Sequence, residues 1–274
     1  MTHGRSELLA LLASHGLRPS RALGQNFMVD ANTSRRIVRL AGVRSGDRVV
    51  EIGAGLGSLT LALAEAGAAV TAVEIDRHLL PVLRSVVEPA GVTVVEGDAT
   101  ALDWTALLGD GPWRLVANLP YNLATPLVAD LLDGVPAITE MLVLVQREVA
   151  ERLAAGPGSR AYGAVSVKVR YWATASVVGR VPATVFVPKP NVESALVRIT
   201  RRPTGPAVEA STVEPARLFE VVRAGFAHRR KMLRGVLAGV VAPEAFEAAG
   251  VAPTARAEEL DVEDWGRLAA WPTP

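Results

Sequence analysis

The feature that most constrains this chain is the alternation between residues 47 and 146. Short runs rich in β-branched and aliphatic residues trade places with segments of helical spacing, and glycine, proline or an acid marks each exchange. "DRVVEIG" (47–53) reads as a strand and "SLTLALAEAG" (58–67) as the helix after it. "AAVTAVEID" (68–76) is the next strand and "RHLLPVLRSVVEPAG" (77–91) the next helix. "VTVVEGDA" (92–99), "WRLVAN" (113–118) and "EMLVLVQ" (140–146) supply three more strands. Several are apolar nearly throughout, which suits strands covered on both faces by helices. Repeated β–α–β units imply right-handed crossovers and a parallel, doubly wound α/β sheet. Such sheets bind ligands at the carboxyl ends of their strands, so the residues just after each strand matter most for function.

Beyond residue 150 the texture changes. "GPGSRAYG" (156–163) is a loop, and "YGAVSVKVRYWA" (162–173) fits helix or strand equally. "ASVVGRVPATVFVPKPNVESALVRITR" (175–201) reads as two β segments around a Pro-rich turn, finishing the sheet as an antiparallel pair. "RPTGPAVEAST" (202–212) has linker composition. After it, "PARLFEVVRAGFAHRRKMLRGVLAG", "PEAFEAAG" and "VEDWGRLAAW" all look helical. The expected division is a domain over 1–202, with a helical N-terminal arm, and a small helical domain over 213–274. The arm contains Arg and Ser with few acids, as transit peptides do. Its apolar core, Leu8 to Leu12, is short, and an amphipathic helix ending near Gly16 is expected.

Composition removes several chemistries. No cysteine is present, so thiolate metal sites and a cysteine nucleophile are excluded. His3, His15, His78 and His228 are scattered without metal-ligand spacing, and no metal is expected. No apolar run approaches the ~20 residues that span a bilayer, so a soluble, cytoplasmic protein without membrane partners is expected. The net charge of +1 is uninformative. The basic residues other than Lys168, Lys189 and Lys231 are arginines, which suit phosphate, and where they cluster matters more than their number.

The strand ends carry the chemistry. "EIGAGLGS" (51–58) places glycines at 53, 55 and 57. Glycine permits a tight turn and lets a ligand approach the backbone. The third glycine comes one place too early for a dinucleotide fingerprint; Glu51 followed by GxGxG is the pattern of S-adenosylmethionine-dependent methyltransferases. Gly53 and Gly55 are therefore candidate cofactor contacts. Glu74, about 20 residues on, can accept hydrogen bonds from two ribose hydroxyls, with Ile75 beside it. Asp98 can accept from an adenine amino group, and Ala99 offers adjacent backbone. The plainer alternative is that these acids cap the following helices. Three successive strand ends so equipped point instead to a cofactor containing adenosine.

The fourth strand ends in "VANLPYNLATP" (116–126). The exocyclic amine of adenine is a poor nucleophile because its lone pair is delocalised into the ring. Accepting hydrogen bonds from that NH2 draws the nitrogen towards sp3 and aims the lone pair at a methyl group. The Asn118 side-chain oxygen is one such acceptor, and the carbonyl of Leu119 or of Pro120 is the second. Proline has no N–H and stiffens the loop. Tyr121 offers a flat face for an extruded base. Thr125-Pro126 reads as an N-cap followed by proline at the first helical position.

"LGQNFMVD" (23–30), "EIGAGLGSLT", "VEID", "GDA", "NLPYN", "PGSRAYG" (157–163) and "VFVPKPNVESALVRI" (185–199) occur in that order. Over roughly residues 18–240 the chain thereby resembles the ribosomal RNA adenine N6-dimethyltransferases, most closely their small-subunit (16S) branch. The resemblance implies a Rossmann-like class I methyltransferase sheet, mostly parallel with an antiparallel end pair, plus a small helical C-terminal domain. It implies S-adenosylmethionine as cofactor and transfer of methyl groups to two adjacent adenines in the 3′-terminal hairpin of 16S rRNA within an immature small subunit. It places Gln25, Asn26 and Met28 against the cofactor (the family more often has Leu at position 28) together with Gly53, Glu74, Asp98 and Asn118. It also makes Phe186 an aromatic that sandwiches the adenine opposite Tyr121, a residue that its own surroundings would place in the core.

"RAGFAHRRKMLRG" (223–235) holds Arg223, His228, Arg229, Arg230, Lys231 and Arg234 with no acid. As one helix, it would put Arg223, Arg230 and Arg234 on one face and Phe226, Leu233 and Val236 on another. Such a stripe can follow an RNA backbone, and the resemblance implies rRNA contact for the segment, with Arg223, Arg229, Arg230, Lys231 and Arg234 as candidates; the alternative is an ordinary solvated face. Arg18, Arg21, Arg35 and Arg36 would extend the basic surface, and a monomer is expected. The rival functions are a 23S rRNA or DNA adenine methylase on this fold, and an RNA-binding assembly or transcription factor with a vestigial site.

Overall fold

The structure, a computed structural model, describes residues 4–229 and 231–271. The chain begins with α1 (Arg5–Ser14), β1 (Phe27–Met28) and α2 (Ala31–Ala41). Asp30 opens α2 by accepting from the backbone N–H groups of Asn32 and Thr33, and Gly42 closes it in a left-handed conformation. The alternating region follows as β2 (Arg48–Ile52), α3 (Ser58–Glu65), β3 (Ala69–Glu74), α4 (Leu80–Val87), β4 (Thr93–Glu96), α5 (Trp104–Leu108), β5 (Trp113–Asn118), α6 (Ala124–Gly134) and β6 (Ile138–Gln146). Next come α7 (Arg147–Ala154), α8 (Ala164–Trp172), β7 (Ala173–Val181), β8 (Phe186–Val187) and β9 (Ser194–Arg201).

Seven strands form one sheet in the order β4-β3-β2-β5-β6-β9-β7. The pairs β4/β3, β3/β2, β2/β5 and β5/β6 are parallel, and β9 runs antiparallel to β6. This is the α/β sheet expected from the apolar runs. Its faces are filled by Val49, Ala72, Val116, Leu142 and Leu144 of the strands and by Ile37, Leu63 and Leu83 of the helices, all buried. Gly57 is required by packing: its φ is +84°, and a Cβ there would lie 2.5 Å from Val87 of α4. Beside the sheet, β1 and β8 form a separate antiparallel pair that joins Met28 to Phe186. Helix α1 lies on this side too. Its Leu8 and Leu12 are buried with Phe27, Val29 and Leu56, each worth about 1.5–3 kcal/mol of burial.

The ambiguous 162–173 segment is helical. Helix α8 starts at Gly163, whose N–H donates to Ser166 Oγ at 3.0 Å, and it buries Val167 and Tyr171 on one side. Among the described residues the α-helices α9 (Pro215–Ala227), α10 (Leu233–Val236), α11 (Glu244–Ala248) and α12 (Val262–Ala269) follow. Two of the expected details change. Helix α6 begins at Ala124 without a side-chain cap, so Thr125 is not its N-cap and Pro126 falls within its first turn, where no N–H is needed. The 202–212 segment is not a free linker: Ala207 donates from its backbone N–H to the Tyr171 carbonyl at 2.7 Å, and Val208 is buried.

Two compact units result. One takes the chain up to Ala150 together with Ser176–Thr200; the other takes Glu151–Ala175 with the chain from Arg201 onward. The division therefore differs from a single cut near residue 202. The 151–175 segment belongs to the second unit because Tyr162, Val167 and Tyr171 share a core with Leu218, Phe219, Leu233 and Trp265.

Candidate active site

Strand order reverses at β2, which has β3 on one side and β5 on the other. That switch point opens a crevice at the carboxyl ends of the strands. A cavity there is lined by Gly53, Gly55, Glu51, Glu74, Ile75, Asp98, Ala99, Asn118, Leu119, Pro120 and Tyr121, and by Leu8, Gln25, Asn26 and Met28 of the arm. Strand ends read one by one along the sequence thus meet in one place.

Glu74 is buried, and its carboxylate accepts from three backbone N–H groups: Gly55 at 2.7 Å, Ile75 at 3.0 Å and Asp76 at 2.9 Å. Burial raises its pKa, while these bonds oppose the rise. Asp98 is exposed; its Oδ1 takes the Thr100 N–H at 2.9 Å and the Thr100 hydroxyl at 2.8 Å, which lower its pKa. Neither acid is the N-cap of a following helix, the plainer role open to them; Asp103 caps α5. The Ala99 carbonyl accepts from Trp104 Nε1 at 3.1 Å, which leaves the Ala99 N–H as the group able to meet a purine nitrogen.

Glu51, next to last in β2, is 2% exposed, and its Oε2 has no hydrogen-bond partner within range among the described residues. Burial pushes its pKa up to about 8; the nearby Thr60 hydroxyl opposes the rise and Glu74 adds to it. Two buried carboxyl groups thus stand side by side at this end of the cavity, and burial favours the neutral form of each.

At the end of β5, Asn118 donates from Nδ2 to the backbone carbonyl of Asn26 at 3.0 Å. Its amide orientation is therefore set, and Oδ1 remains as a free acceptor among the described residues. The Pro120 carbonyl accepts the N–H groups of Leu123 and Ala124, both at 3.0 Å. Of the two carbonyls the sequence left open, the one uncommitted among the described residues is Leu119's. The Tyr121 hydroxyl pairs with Ser194 Oγ at 2.7 Å, which pins the half-buried ring. No histidine or lysine lines the cavity.

The family model for ribosomal RNA adenine dimethylase matches residues 17–273. The chain belongs to this family. It is an adenine methyltransferase that uses S-adenosylmethionine. Among relatives of this dimethylase, the ribosomal RNA small subunit methyltransferase A of Leifsonia xyli subsp. xyli is 48% identical over 278 residues, covering 97% of each chain. The protein of the same name from Cutibacterium acnes is 50% identical over 266 residues, covering 92% of this chain and 88% of its own. Among solved structures, the 23S rRNA methyltransferase ErmE superposes with a TM-score of 0.70 at 27% identity, covering 89% of this chain and 98% of its own. A dimethyladenosine transferase from Plasmodium falciparum gives a TM-score of 0.74 at 22% identity, covering 88% and 95%, a likeness of fold.

The dimethylase's cavity fits that cofactor. The unpartnered Glu51 oxygen and the Glu74 carboxylate suit a ligand with cationic and hydroxyl groups, and Ile75, 46% exposed, offers an apolar edge to a purine. One expected residue is not on the cavity wall. Phe186 is 1% exposed and packed in the core of the sheet unit, paired with Met28. In this structure Phe186 thus occupies a core position, as its own surroundings suggested. Residues without a role in the sequence reading also serve the site. Leu8 lines the cavity, Ser194 holds Tyr121, and Asp76 bonds the arm. Ser194 lay inside a quoted motif, and Asp76 inside "VEID"; neither spacing signals its partner.

The dimethylase's basic segment departs from the expected stripe. Helix α9 ends at Ala227, and His228 leaves the helical region with φ −130° and ψ 60°. Met232 bridges to Arg256, and the Leu233 N–H donates to the Ala255 carbonyl at 2.8 Å. Four consecutive polar residues, 228–231, give no apolar spacing to continue a helix. Arg223, Lys231 and Arg234 are exposed, and Arg230 lies outside the described residues. Arg229 is committed internally: it donates to Glu258 at 2.7 Å and to the carbonyls of Ser159 at 3.3 Å and Arg160 at 2.6 Å. Arg18 and Arg21 are exposed, while Arg35 pairs with Glu65 and Arg36 donates to the Arg180 carbonyl.

Proposed function

We propose that this dimethylase converts two adjacent adenines in the 3′-terminal hairpin of 16S rRNA to N6,N6-dimethyladenosine, acting as a cytoplasmic monomer on an immature small subunit. Relatives named small subunit methyltransferase A, 48–50% identical across nearly the whole chain, support the small-subunit substrate over the 23S enzyme at 27%. The observation that carries the chemistry is the amide of Asn118, whose donor side is spent on Asn26 and whose acceptor side is open next to the Leu119 carbonyl.

When bound, S-adenosylmethionine supplies an electrophilic methyl group on a sulfonium. Glu51 would face its ammonium, Glu74 the ribose hydroxyls, and Asp98 with Ala99 the adenine edge; Gly53 and Gly55 let it approach the backbone. Gln25, Asn26 and Met28 would close the cavity from the arm. Asn118 Oδ1 and the Leu119 carbonyl accept the two hydrogens of the target amine, and Tyr121, fixed through Ser194, stacks on the base. Positioning and exclusion of water then account for most of the rate. The amine proton becomes acidic only as the new bond forms, so no strong base is needed beside Asn118. Exposed Arg223, Lys231 and Arg234 of the second unit would track the RNA backbone.

The test is transfer of tritium from labelled S-adenosylmethionine to immature small subunits, followed by nucleoside analysis. Labelled N6,N6-dimethyladenosine in the 16S 3′ end is the expected product. Label appearing instead in naked 23S rRNA or DNA oligonucleotides would overturn the substrate assignment.

A further inference from the structure

Residues 20–28 run between the end of β3 and the loop that follows β5, and they touch both. On one side, Gln25 Nε2 donates to Asp76 Oδ2 at 2.7 Å while Gln25 Oε1 accepts the Ser20 N–H at 2.7 Å. On the other, Gly24 with φ +63° sits so close that a Cβ would lie 3.1 Å from Asn122 and 3.3 Å from Pro120. Between these contacts, the Asn26 carbonyl takes Asn118 Nδ2. Asp76 in turn donates its backbone N–H to Glu74 at 2.9 Å. An unbroken path thus joins the carboxylate at the ribose end of the cavity to the amide at the methylated base, through Asp76, Gln25 and Asn26.

We propose that the Asp76–Gln25 hydrogen bond is a positioning latch: it holds the Asn26 carbonyl in place and so keeps the Asn118 amide with its oxygen towards the target amine. The amide has two possible orientations. Only the one with Nδ2 on Asn26 presents an acceptor; with the carbonyl of Asn26 displaced, nothing else among the described residues selects it. The half-buried Asp76 divides its work, because Oδ1 accepts the His78 N–H at 3.0 Å as a local turn while Oδ2 takes Gln25. The latch is thereby separable from the turn. This proposal rests on the reading of Asn118 given above.

Gln25→Glu keeps length and the acceptor for Ser20 but sets an oxygen against the Asp76 carboxylate. The expected result is a fall in kcat of roughly tenfold or more, the scale on which small misplacements act. Backbone deuterium uptake across residues 20–28 should be faster in the cofactor-free protein. The Gln25→Glu, Asp76→Asn double variant restores the bond with donor and acceptor exchanged while Asp76's turn acceptor is kept, and both readouts should recover. Gln25→Met, which removes the donor without adding charge, should repeat the single variant's loss. Unchanged kcat with faster uptake would overturn the positioning role, and failure of the double variant to recover would overturn the latch. Failure of the Asn118 reading would show separately, as an Asn118→Ala variant that still turns over while the uptake response persists.

Discussion

Glu51, proposed to face the cofactor, is held in the folded chain against the protein's own stability. Its pKa in the folded chain, about 8, lies above the ordinary 4.5. Between those values the native state binds more protons than the unfolded chain. Stability is therefore full below about 4.5, falls as pH rises through the window at no more than ~1.4 kcal/mol per pH unit, and levels off above about 8. Glu51→Gln removes the ionisable group, so in the cofactor-free protein its melting temperature should exceed the parent's at pH 8.5 and match it near pH 4.5. Calorimetry should show weaker S-adenosylmethionine binding in the same variant. Asn118 and Glu74 separate along another axis. Asn118→Ala should lose roughly 10²-fold in turnover, as when one preorganised hydrogen-bonding group is removed from an active site, with the cofactor dissociation constant nearly unchanged. Glu74→Ala would also strand three backbone N–H groups, so Glu74→Gln is the cleaner probe, with a roughly tenfold loss of cofactor affinity expected. Glu74 and Asn118 were legible in the sequence because each is a polar residue ending an apolar run, and Glu51 because it precedes a glycine-rich turn. Ser194 and Asp76 were not, since a hydroxyl at a strand start and an acid before a helix each have an ordinary local explanation.

At the scale of elements, the parallel strands were readable because burial on both faces leaves little but Val, Leu, Ile and Ala in them. Segment 162–173 was not, because its apolar spacing satisfies both periods and only packing against α9 and α12 selects the helix. The basic segment misled for a related reason: charged residues are compatible with helix, but nothing in 228–231 gives a helix a face to bury. The break at His228 lets Arg229 turn inward to Ser159, Arg160 and Glu258, which makes this arginine a fastener of the "PGSRAYG" loop. The ion pair is about one-third exposed on each side and so worth ~1 kcal/mol or less; the two carbonyl bonds add a similar amount. Arg229→Ala should lower the unfolding free energy by about 1–2 kcal/mol in chemical denaturation, whereas Arg234→Ala should leave it unchanged. Arg234→Ala should instead weaken RNA binding about equally across sequences and reduce the slope of log affinity against log salt by about one. Equal stability losses in the two variants would contradict this division of labour.

For the molecule as a whole, the second unit is discontinuous in sequence. A composition shift at 202–212 marks where the chain leaves the sheet for the last time, but it cannot reveal that an earlier stretch, 151–175, has already left and returned. That stretch supplies Tyr162, Val167 and Tyr171 to the core around Leu218, Phe219 and Trp265. Tyr171 meets Phe219 edge-on with ring centroids 5.2 Å apart. A fragment of residues 213–274 lacks these side chains, and losing even one buried aromatic costs about 3–5 kcal/mol, comparable to the whole stability of a domain that small. It should therefore show little cooperative unfolding and poor dispersion of amide resonances. The junction suggests the remedy. The Arg202 N–H donates to the Trp172 carbonyl at 2.9 Å, so the two ends of the excised sheet segment already lie side by side. A chain of 151–172 joined by a few glycines and serines to 202–274 retains every residue of that core and should fold cooperatively, with a sharp thermal transition. If the 213–274 fragment folded equally well, the shared core would not be what holds the second unit together.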